Sequence, residues 1–264
     1  MRGVDFAINP LDGVRIAYRS TGSGPAIVLV HGTALSQVIW RGFGYVKELA
    51  ADHTVITLDL RGHGRSDKPH QESAYRMEFF VADVLAVLDL LRVEHTDYLG
   101  YSLGGRVGFS VIDAAPERMR RFISAAGAAG NRLGAFDRVF FPGCVEVLEA
   151  AGMDGFINSW QVYSGGPLDR ATRAAFAAND AQALAAYMRM AERDTGVPDS
   201  RLAGFTTPTL LLVGSEDEER LAAAEHVQAI APRARLQVIS GVTHGELLRH
   251  PDTLPAIRAF LAEA

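Results

Sequence analysis

The sequence predicts an α/β protein whose mostly parallel sheet is doubly wound, with helices on both faces. Three observations support this class. Short apolar runs alternate with helix-like segments along most of the 264 residues. Several of these runs are apolar throughout, which is typical of strands covered on both faces. Glycine-containing polar segments follow the ends of the runs, which is where ligands of such sheets bind.

The segments before residue 127 are predicted to alternate between strands and helices. Residues 14–19 alternate apolar and polar side chains, as a half-buried strand does. The following apolar runs predict further strands, and helix-like segments separate them. These strands are predicted at 26–30, 54–58, 96–99 and 120–125, and the helices at 40–50, 75–91 and 103–115.

The pattern changes between residues 127 and 205, where strand-like runs give way to alanine-rich, helix-like segments. These segments also carry many aromatic and methionine side chains. We expect a helical cap, residues 127–205, inserted above the carboxyl ends of the strands in a core formed by residues 1–126 and 206–264. The cap helices are predicted at 139–151, 171–178 and 181–191, and the last core elements are strands at 209–213 and 236–239 and helices at 221–230 and 253–261.

The composition is that of an ordinary globular protein, with 48% hydrophobic and 22% charged residues. A net charge of −5 and a pI near 5.9 argue against nucleic acid or an anionic membrane as partner. The single cysteine, Cys144, excludes an internal disulfide and is expected to be a buried, unreactive thiol. No signal-peptide pattern or run of membrane-spanning length is present, so a cytoplasmic protein is expected.

One short motif lies at the centre of the predicted sheet. Ser102 stands between Gly100 and Gly104 in a G-x-S-x-G pattern, after a predicted strand and before a predicted helix. This context indicates a strained turn that exposes a nucleophilic serine, although the motif alone also fits a plain turn of small residues. The N–H group of Leu103 is expected to point towards the space in front of the serine oxygen, as an oxyanion-hole donor.

A second motif, His31-Gly32-Thr33-Ala34, follows the predicted strand at 26–30. Its loop is expected to lie beside the nucleophile, where the N–H group of Thr33 supplies another oxyanion-hole donor. His31 is expected to brace the loop by hydrogen bonds, because the base in this arrangement comes later in the chain.

A nucleophilic serine needs a base within hydrogen-bond reach, and the base needs an acid that orients it. After a serine turn of this type the acid and then the histidine follow in the chain, each on a loop after a strand. His244 follows the last predicted strand and is therefore the expected base. His226 lies inside a predicted helix and His250 in the closing segment, and neither directly follows a strand.

The acid is expected after the strand at 209–213. Asp217 is the fourth residue of a G-x-x-D segment and is the preferred candidate, with the adjacent Glu216 as the alternative. Asp217 also fits an exposed charge run that caps the next helix. The glycine-rich loop at 59–69 contains neither phosphate-binding motif and is interpreted as structural, so His63 within it is not expected to be the base.

These motifs together resemble those of the α/β-hydrolase fold superfamily, most closely its small esterase and lactonase branch, typified by 3-oxoadipate enol-lactonases. The resemblance covers the chain except the cap, and it implies that the cap is inserted after the sixth strand of that fold, here residues 120–125. Thr33-Ala34 departs from the proline- or glycine-rich loop of many relatives. The matching segments are His31-Gly32, 59–66, Gly100 to Gly105, Gly214-x-x-Asp217 and His244-Gly245.

The resemblance implies a serine hydrolase that cleaves a carboxylic ester or lactone through an acyl-enzyme, with Ser102, Asp217 and His244 as catalytic triad. It implies neither a metal nor an organic cofactor. The aromatic residues of the cap indicate a small, fairly apolar substrate, with Tyr101 and Trp160 expected to contact it, in a monomer or homodimer. C–C bond hydrolases, lyases, cofactor-free perhydrolases and ligand receptors use the same fold and triad, so these alternatives stay open.

Overall fold

A computed structural model describes residues 4–130 and 133–263 of the chain. In these ranges the strands are β1 (Asp5–Ile8), β2 (Arg15–Gly22), β3 (Ala26–Val30), β4 (Thr54–Leu58), β5 (Thr96–Tyr101), β6 (Met119–Ala125), β7 (Thr209–Gly214) and β8 (Ala234–Ile239). They form one sheet in the order β1-β2-β4-β3-β5-β6-β7-β8. The β1–β2 and β2–β4 pairs are antiparallel, and the other neighbouring pairs are parallel.

The helices of the described ranges divide into a core set and a cap set. The core helices are α1 (Val38–Gly42), α2 (Tyr45–Leu49), α3 (Met77–Leu90), α4 (Leu103–Ala114), α10 (Glu218–Ile230) and α11 (Thr253–Leu261). Between β6 and β7 lie α5 (Ala135–Val139), α6 (Cys144–Tyr163), α7 (Arg170–Ala177), α8 (Ala181–Ala191) and α9 (Asp199–Leu202). The boundaries of the cap as a separate domain stay a prediction. No described helix combines the length and apolar character needed to cross a bilayer.

The central strands β3, β5 and β7 are buried on both faces, which explains the strands that are apolar throughout. In β3, Ile27 and Leu29 belong to one hydrophobic cluster, which includes residues of α1, α2 and α11. Val28 and Val30 belong to a second cluster on the opposite face, which includes residues of α3 and α4. Because successive side chains of a strand point to opposite faces, a strand covered on both sides must be apolar at every position. The predicted doubly wound fold class is confirmed.

The N-terminal part differs from the sequence prediction in two places. The sequence analysis missed β1, because only Ala7 of its four residues is buried and the segment shows no clear alternation. The single helix predicted at 40–50 is wrong, since α1 and α2 are separate. Gly44 has a φ of 85° and lies between them, and this left-handed conformation ends a right-handed helical run.

The predicted cap helix at 139–151 is also wrong in its bounds. α5 ends at Val139, and α6 begins at Cys144, after four intervening residues, and continues to Tyr163. Gly143 has a φ of 75° just before α6, and Gly152 has a φ of 62° at a kink within it. Glycine adopts this backbone conformation at little cost, and its positions here set where the cap helices begin and bend.

The parallel strands bring the loops of the predicted site to one edge of the sheet. The strand order reverses between β3 and β5, and the crevice at such a reversal is where ligands of α/β sheets bind. The His31 loop follows β3 and Ser102 follows β5, so these two segments are neighbours. Asp217 follows β7, and His244 follows β8.

The turn between β5 and α4 is built on close backbone contacts. A Cβ atom on Gly100 would lie 2.2 Å from the carbonyl oxygen of Gly104. A Cβ atom on Gly104 would lie 2.0 Å from the carbonyl oxygen of Val30, at the end of β3. Real Cβ atoms do not approach a backbone oxygen so closely, so α4 can pack against β3 and β5 only with glycine at both positions.

We expect Gly104→Ala to lower the free energy of unfolding by about 2–3 kcal/mol, because the added methyl group must displace the end of β3. Guanidinium chloride denaturation followed by circular dichroism measures this change. Gly42→Ala is the matched control, since a Cβ atom there would meet nothing within 4 Å. We expect it to change stability by less than about 1 kcal/mol. Equal stability of the two variants would contradict the close approach described here.

Candidate active site

Ser102 occupies the turn between β5 and α4 in a strained backbone conformation. Its φ is 53° and its ψ is −112°, a region that residues other than glycine rarely adopt. The N–H group of Ser102 donates to the carbonyl of Ala125 at 2.8 Å, and its own carbonyl accepts from the N–H group of Arg106 at 3.0 Å. These bonds hold the turn from both sides. Leu103 begins α4, so its N–H group has no partner within the helix.

A chain of hydrogen bonds connects the three residues predicted as the triad. Nε2 of His244 lies 3.1 Å from Oγ of Ser102, and Nδ1 of His244 lies 2.6 Å from Oδ2 of Asp217. The Asp217 side chain is 11% exposed and that of His244 is 24% exposed. Asp217 precedes α10 but its side chain makes no capping hydrogen bond there. The alternative acid, Glu216, is exposed. The structure therefore brings Ser102, Asp217 and His244 together, and their catalytic roles stay a prediction.

Tyr101 contributes to this arrangement through its hydroxyl group and its ring. The hydroxyl donates to the backbone carbonyl of His244 at 2.8 Å. The phenol ring lies 5.4 Å from the imidazole ring, measured between centroids. Tyr101 thus fixes the loop that carries the predicted base, and it also lines the cavity, while its contact with a substrate stays a prediction.

The loop after β3 is held by His31, as the sequence predicted. Nδ1 of His31 donates to the carbonyl of Gly32 at 2.8 Å, and Nε2 accepts from the N–H group of Leu60 at 3.0 Å. These two bonds assign the neutral tautomer. His31 is completely buried, and burial lowers the pKa of its imidazole. Its role in the structure is to brace the loop that contains Thr33.

The cap also holds this loop, through two hydrogen bonds that span more than 140 residues. Oγ1 of Thr33 lies 3.2 Å from the hydroxyl of Tyr187 in α8. Nδ2 of Asn179, between α7 and α8, donates to the carbonyl of Ala34 at 2.8 Å. Ala34 itself has a φ of 58°, a strained conformation for a residue with a side chain. The cap contacts therefore fix the part of the loop that carries the predicted oxyanion donor.

The other candidate histidines lie away from Ser102 in the hydrogen-bond network. His63 is buried, its Nδ1 donates to the carbonyl of Arg61 at 2.9 Å, and its Nε2 has no partner among the described residues. Burial is the main cause that lowers the pKa of His63 to about 3. His226 pairs with Asp199 at 3.0 Å on the surface. His250 accepts from a backbone N–H group at 3.3 Å.

The glycine-rich loop at 59–69 is structural, but its charges are not satisfied only within the loop. Arg61 is completely buried and donates to Oδ2 of Asp83 at 2.7 Å and to Oδ2 of Asp12 at 2.7 Å. Asp59 accepts from the N–H group of Gln37 at 2.7 Å. The loop is therefore tied to α3 and to the N-terminal hairpin, which local spacing did not reveal.

A cavity of about 210 Å³ opens onto Ser102. Both predicted oxyanion residues, Thr33 and Leu103, line it, and so do the predicted substrate contacts Tyr101 and Trp160. Trp160 packs against Phe176 with ring centroids 4.9 Å apart and belongs to an aromatic cluster of the cap. The other lining residues are mainly apolar: Leu35, Ile39, Phe43, Ala128, Ala135, Phe136, Val139, Phe140, Phe176 and Leu248.

Sequence reasoning missed several polar residues of the cavity wall. Arg106, Tyr187 and Arg220 line the cavity, although none was a candidate. Arg106 interrupts an otherwise apolar helix four residues after Ser102, and this placement was a usable signal. Arg220 directly follows the acidic run Glu216–Glu219, a pattern that predicts an exposed residue. No local signal therefore indicated that Arg220 lies on the cavity wall.

Neither the single cysteine nor, among the described residues, any metal-ligand cluster contributes to this site. Cys144 is buried at the start of α6, and burial is the main cause that raises the pKa of its thiol to about 12, in agreement with the predicted inert role. Among the described residues, no cluster of histidine, cysteine and acidic side chains has the arrangement of a metal site.

Comparison with known proteins shows what the chain is similar to. A family profile described as the alpha/beta hydrolase fold matches residues 25–142. An uncharacterized protein of Mycobacterium tuberculosis is 38% identical over 117 residues, which are 44% of this chain and 33% of that protein. The 2-hydroxymuconate semialdehyde hydrolase of a Pseudomonas species is 32% identical over 119 residues, which are 45% of this chain and 41% of that enzyme. The chain thus covers about a third of the length of the first relative and two fifths of the second.

Solved structures match over almost the whole chain. An esterase from a Rhodococcus species has a TM-score of 0.82 and 26% identity, covering 99% of each chain. An enol-lactonase from Burkholderia xenovorans has a TM-score of 0.82 and 20% identity, covering 98% of this chain and 100% of that one, and shows the shared fold alone. The chain has the α/β-hydrolase fold, and its predicted resemblance to esterases and lactonases of that fold is confirmed.

We expect acid to destabilise the fold partly through His63. The pKa of His63 is about 3 in the folded protein and about 6.5 in an unfolded chain, so below pH 6.5 the unfolded state binds a proton that the folded state does not. Stability from this group is therefore full above pH 6.5 and lost as the pH falls towards 3. Between pH 7 and pH 5, His63→Asn should lose about 2 kcal/mol less stability than the wild type, as measured by urea denaturation at both pH values.

The asparagine amide retains a donor near the position of Nδ1, so the comparison isolates the titration of the ring. His226→Asn is the control, because the His226 side chain is 58% exposed. We expect it to keep the pH dependence of the wild type. If His63→Asn showed the same pH dependence as the wild type, His63 would not be the group that resists protonation.

Proposed function

We propose that this protein is a serine hydrolase that cleaves carboxylic ester or lactone bonds through an acyl-enzyme intermediate. The observation that carries the proposal is the chain of hydrogen bonds from Asp217 through His244 to Ser102, at 2.6 Å and 3.1 Å, beside a largely apolar cavity. Such a chain converts a weakly nucleophilic hydroxyl into an effective nucleophile. The similarity to an esterase along 99% of the chain supports the same reaction class.

The first half-reaction forms the acyl-enzyme. Oγ of Ser102 attacks the substrate carbonyl carbon while Nε2 of His244 accepts the hydroxyl proton. The carboxylate of Asp217 accepts the hydrogen bond from Nδ1–H, which fixes the tautomer and stabilises the imidazolium that forms. His244 then returns the proton to the leaving alkoxide, and the alcohol departs. In a lactone the alcohol stays attached to the acyl group.

The second half-reaction releases the acid. His244 removes a proton from a water molecule, whose oxygen attacks the acyl carbonyl, and Ser102 leaves with the proton returned by His244. In both steps the N–H groups of Leu103 and Thr33 are proposed to donate to the oxyanion. The N–H group of Leu103 lies in the first turn of α4, where helix N-termini favour negative charge. Nucleophile, base and oxyanion donors are all groups of this chain, so the steps require no cofactor.

A second candidate is hydrolysis of a C–C bond on the same triad. It is favoured by one observation, the 32% identity over 119 residues to an enzyme named as a semialdehyde hydrolase, a name that specifies no ester. A panel containing esters, lactones and ring-cleavage-type dienoic ketoacids separates the two reactions. Ester or lactone hydrolysis acts on the first two kinds of substrate, and C–C bond hydrolysis acts on the third.

We expect wild-type protein to hydrolyse 4-nitrophenyl butyrate with an initial burst followed by steady turnover, because nitrophenol leaves before the acyl-enzyme is hydrolysed. Ser102→Ala removes the nucleophile and should lower kcat by at least about 10⁴-fold while the fold is retained. Stopped-flow absorbance measures burst and turnover, and circular dichroism monitors the fold. Undiminished turnover in Ser102→Ala would contradict the proposal.

The two neighbouring acids provide a matched control pair. We expect Asp217→Asn to lower kcat by about 10³–10⁴-fold, because the amide no longer stabilises the imidazolium of His244. Glu216→Gln removes an exposed carboxylate and should leave kcat within about twofold. The reverse ranking would assign the acid to Glu216.

We also expect Asn179→Ala to lower kcat about tenfold with KM changed less than about twofold. The lost hydrogen bond frees the Ala34 carbonyl, and the proposed oxyanion donor, Thr33 N–H, then loses its fixed position. Initial-rate kinetics on 4-nitrophenyl esters measure kcat and KM separately. Asn158→Ala is the control, since Asn158 is an exposed asparagine of the cap outside the cavity wall. A rise in KM alone would assign Asn179 to substrate binding and contradict its positioning role.

A further inference from the structure

We propose that the side-chain hydroxyl of Thr33 is a third oxyanion donor, which hydrogen-bonds the negatively charged oxygen of the tetrahedral intermediate beside the two backbone N–H groups. The inference rests on the proposed function, because it adds a catalytic residue to that reaction. It also gives the hydroxyl of Tyr187, in the cap, a positioning role, since this group fixes the direction in which the Thr33 hydroxyl donates.

Thr33 lies beside the proposed nucleophile. The preceding residue, Gly32, is so close to Ser102 that a Cβ atom on it would lie 3.1 Å from the Cβ atom of Ser102. Thr33, Ser102 and Leu103 all line the same cavity. In every staggered rotamer of a threonine, Oγ1 lies about 3–4 Å from the backbone nitrogen. An oxyanion that accepts from the N–H group of Thr33 can therefore also accept from its hydroxyl.

The Thr33 hydroxyl has one hydrogen-bond partner within the described part of the chain. This partner is the hydroxyl of Tyr187, and the two oxygen atoms are 3.2 Å apart. Each hydroxyl has one proton to donate and lone pairs that accept. A single hydrogen bond between them uses only one of the two protons, so the other proton is directed elsewhere.

The surroundings of Tyr187 decide which of the two groups donates. Tyr187 is only 3% exposed, and among the described residues its hydroxyl has no hydrogen-bond partner other than Thr33. A buried donor without an acceptor is unfavourable. A phenol is also a stronger acid than an aliphatic hydroxyl, and therefore a better donor. Tyr187 thus donates to Oγ1 of Thr33. The rings that pack edge-on against its ring are those of Tyr75, Phe80 and Phe136.

The proton of the Thr33 hydroxyl is then available to a ligand in the cavity. Thr33 is partly exposed on the cavity wall, and the described lining residues include no aspartate or glutamate that would compete for the proton. Accepting a hydrogen bond from Tyr187 polarises the O–H bond and makes it a stronger donor. It also holds the hydroxyl in place before the substrate binds, as electrostatic stabilisation of a transition state requires.

During the reaction the Thr33 hydroxyl donates a hydrogen bond and keeps its proton, so every transferred proton still passes through His244. The charge on the substrate oxygen is small in the ester and large in the tetrahedral intermediate. A fixed donor therefore stabilises the intermediate more than the bound substrate, and it raises kcat rather than lowering KM. Both half-reactions pass through an oxyanion at the same place, so the third donor serves both.

The first test removes the hydroxyl and keeps the shape of the side chain. We expect Thr33→Val to lower kcat for 4-nitrophenyl butyrate about ten- to a hundredfold, with KM changed less than about threefold. Thr33→Ser keeps a hydroxyl and should retain kcat within about fivefold. Thr54→Val is the control with unchanged kcat, because the Thr54 hydroxyl donates to the carbonyl of Gly24 at the start of β4, at the opposite end of the strands.

Tyr187→Phe distinguishes a catalytic hydroxyl from one that only anchors the loop. It removes the same hydrogen bond but leaves the Thr33 hydroxyl in place, so we expect kcat to fall less than about fivefold. Equal losses of kcat in Tyr187→Phe and Thr33→Val would overturn the third donor. Unchanged kcat in folded Thr33→Val, with turnover still lost in Ser102→Ala, would overturn it as well and leave the proposed hydrolysis intact. Thr33→Ala replaces Thr33→Val if the valine variant does not fold.

The direction of the hydrogen bond has a readout that is independent of activity. Thr33→Val leaves the buried hydroxyl of Tyr187 without an acceptor, whereas Tyr187→Phe leaves a Thr33 hydroxyl that faces the cavity. We therefore expect the urea midpoint of unfolding to fall more in Thr33→Val than in Tyr187→Phe, and to recover when the two substitutions are combined. A larger fall in Tyr187→Phe would reverse the direction of the bond and overturn the proposal.

A reversible inhibitor separates the third donor from the proposed reaction. When butyl trifluoromethyl ketone binds, Oγ of Ser102 adds to its carbonyl carbon, the hydroxyl proton passes to Nε2 of His244, and the ketone oxygen becomes the oxyanion. Its Kd, measured by calorimetric titration, should rise about ten- to a hundredfold in Thr33→Val. This dependence would support the third donor even if no ester is cleaved, in which case the proposed function alone would fail. Equal Kd values for wild type and Thr33→Val, or no binding to either, would overturn the third donor.

Discussion

The site depends on how closely α4 packs against β3 and β5. Gly100 and Gly104 remove the two side-chain positions that would keep these elements apart, since a Cβ atom at either would lie 2.2 Å or less from a carbonyl oxygen. The chain must then pass from strand to helix within one residue, and Ser102 takes the resulting strained conformation with a φ of 53°. The same packing places the first-turn N–H groups of α4 beside the serine. The positions of the proposed nucleophile and of the proposed oxyanion donor on α4 thus follow from one steric constraint.

The cap is connected to the catalytic core by polar contacts as well as by apolar packing. Asn179 and Tyr187 hydrogen-bond the loop after β3, and Asp194 pairs with Arg106 of α4. Hydrogen bonds are directional, so these contacts fix the orientation of the loop in a way that packing of Trp160 and its aromatic neighbours does not. The cap therefore holds the backbone of the loop that carries Thr33, and in the proposed function it would also enclose the substrate.

Sequence reasoning succeeded where the signal was local and failed where contacts were distant. The serine turn, the loop after β3 and the buried strands are each specified by a few consecutive residues. Ser102, Asp217 and His244 were predicted to lie together because each stands at a fixed place after a strand, and the structure brings them within hydrogen-bond distance. Asn179 and Arg220 were missed, because a polar residue in a helix-rich segment or at the end of a charge run has no distinguishing pattern. Their importance comes from partners in the folded chain, such as the Ala34 carbonyl, 145 residues from Asn179.

The position of Arg220 illustrates why such residues need the folded structure. Local sequence places it in the first turn of α10, after a run of four acidic residues, of which Glu218 and Glu219 complement the positive end of the helix. On the surface these carboxylates would neutralise it. In the fold, Glu219 is engaged by Arg138 instead, and Arg220 is buried against the cavity.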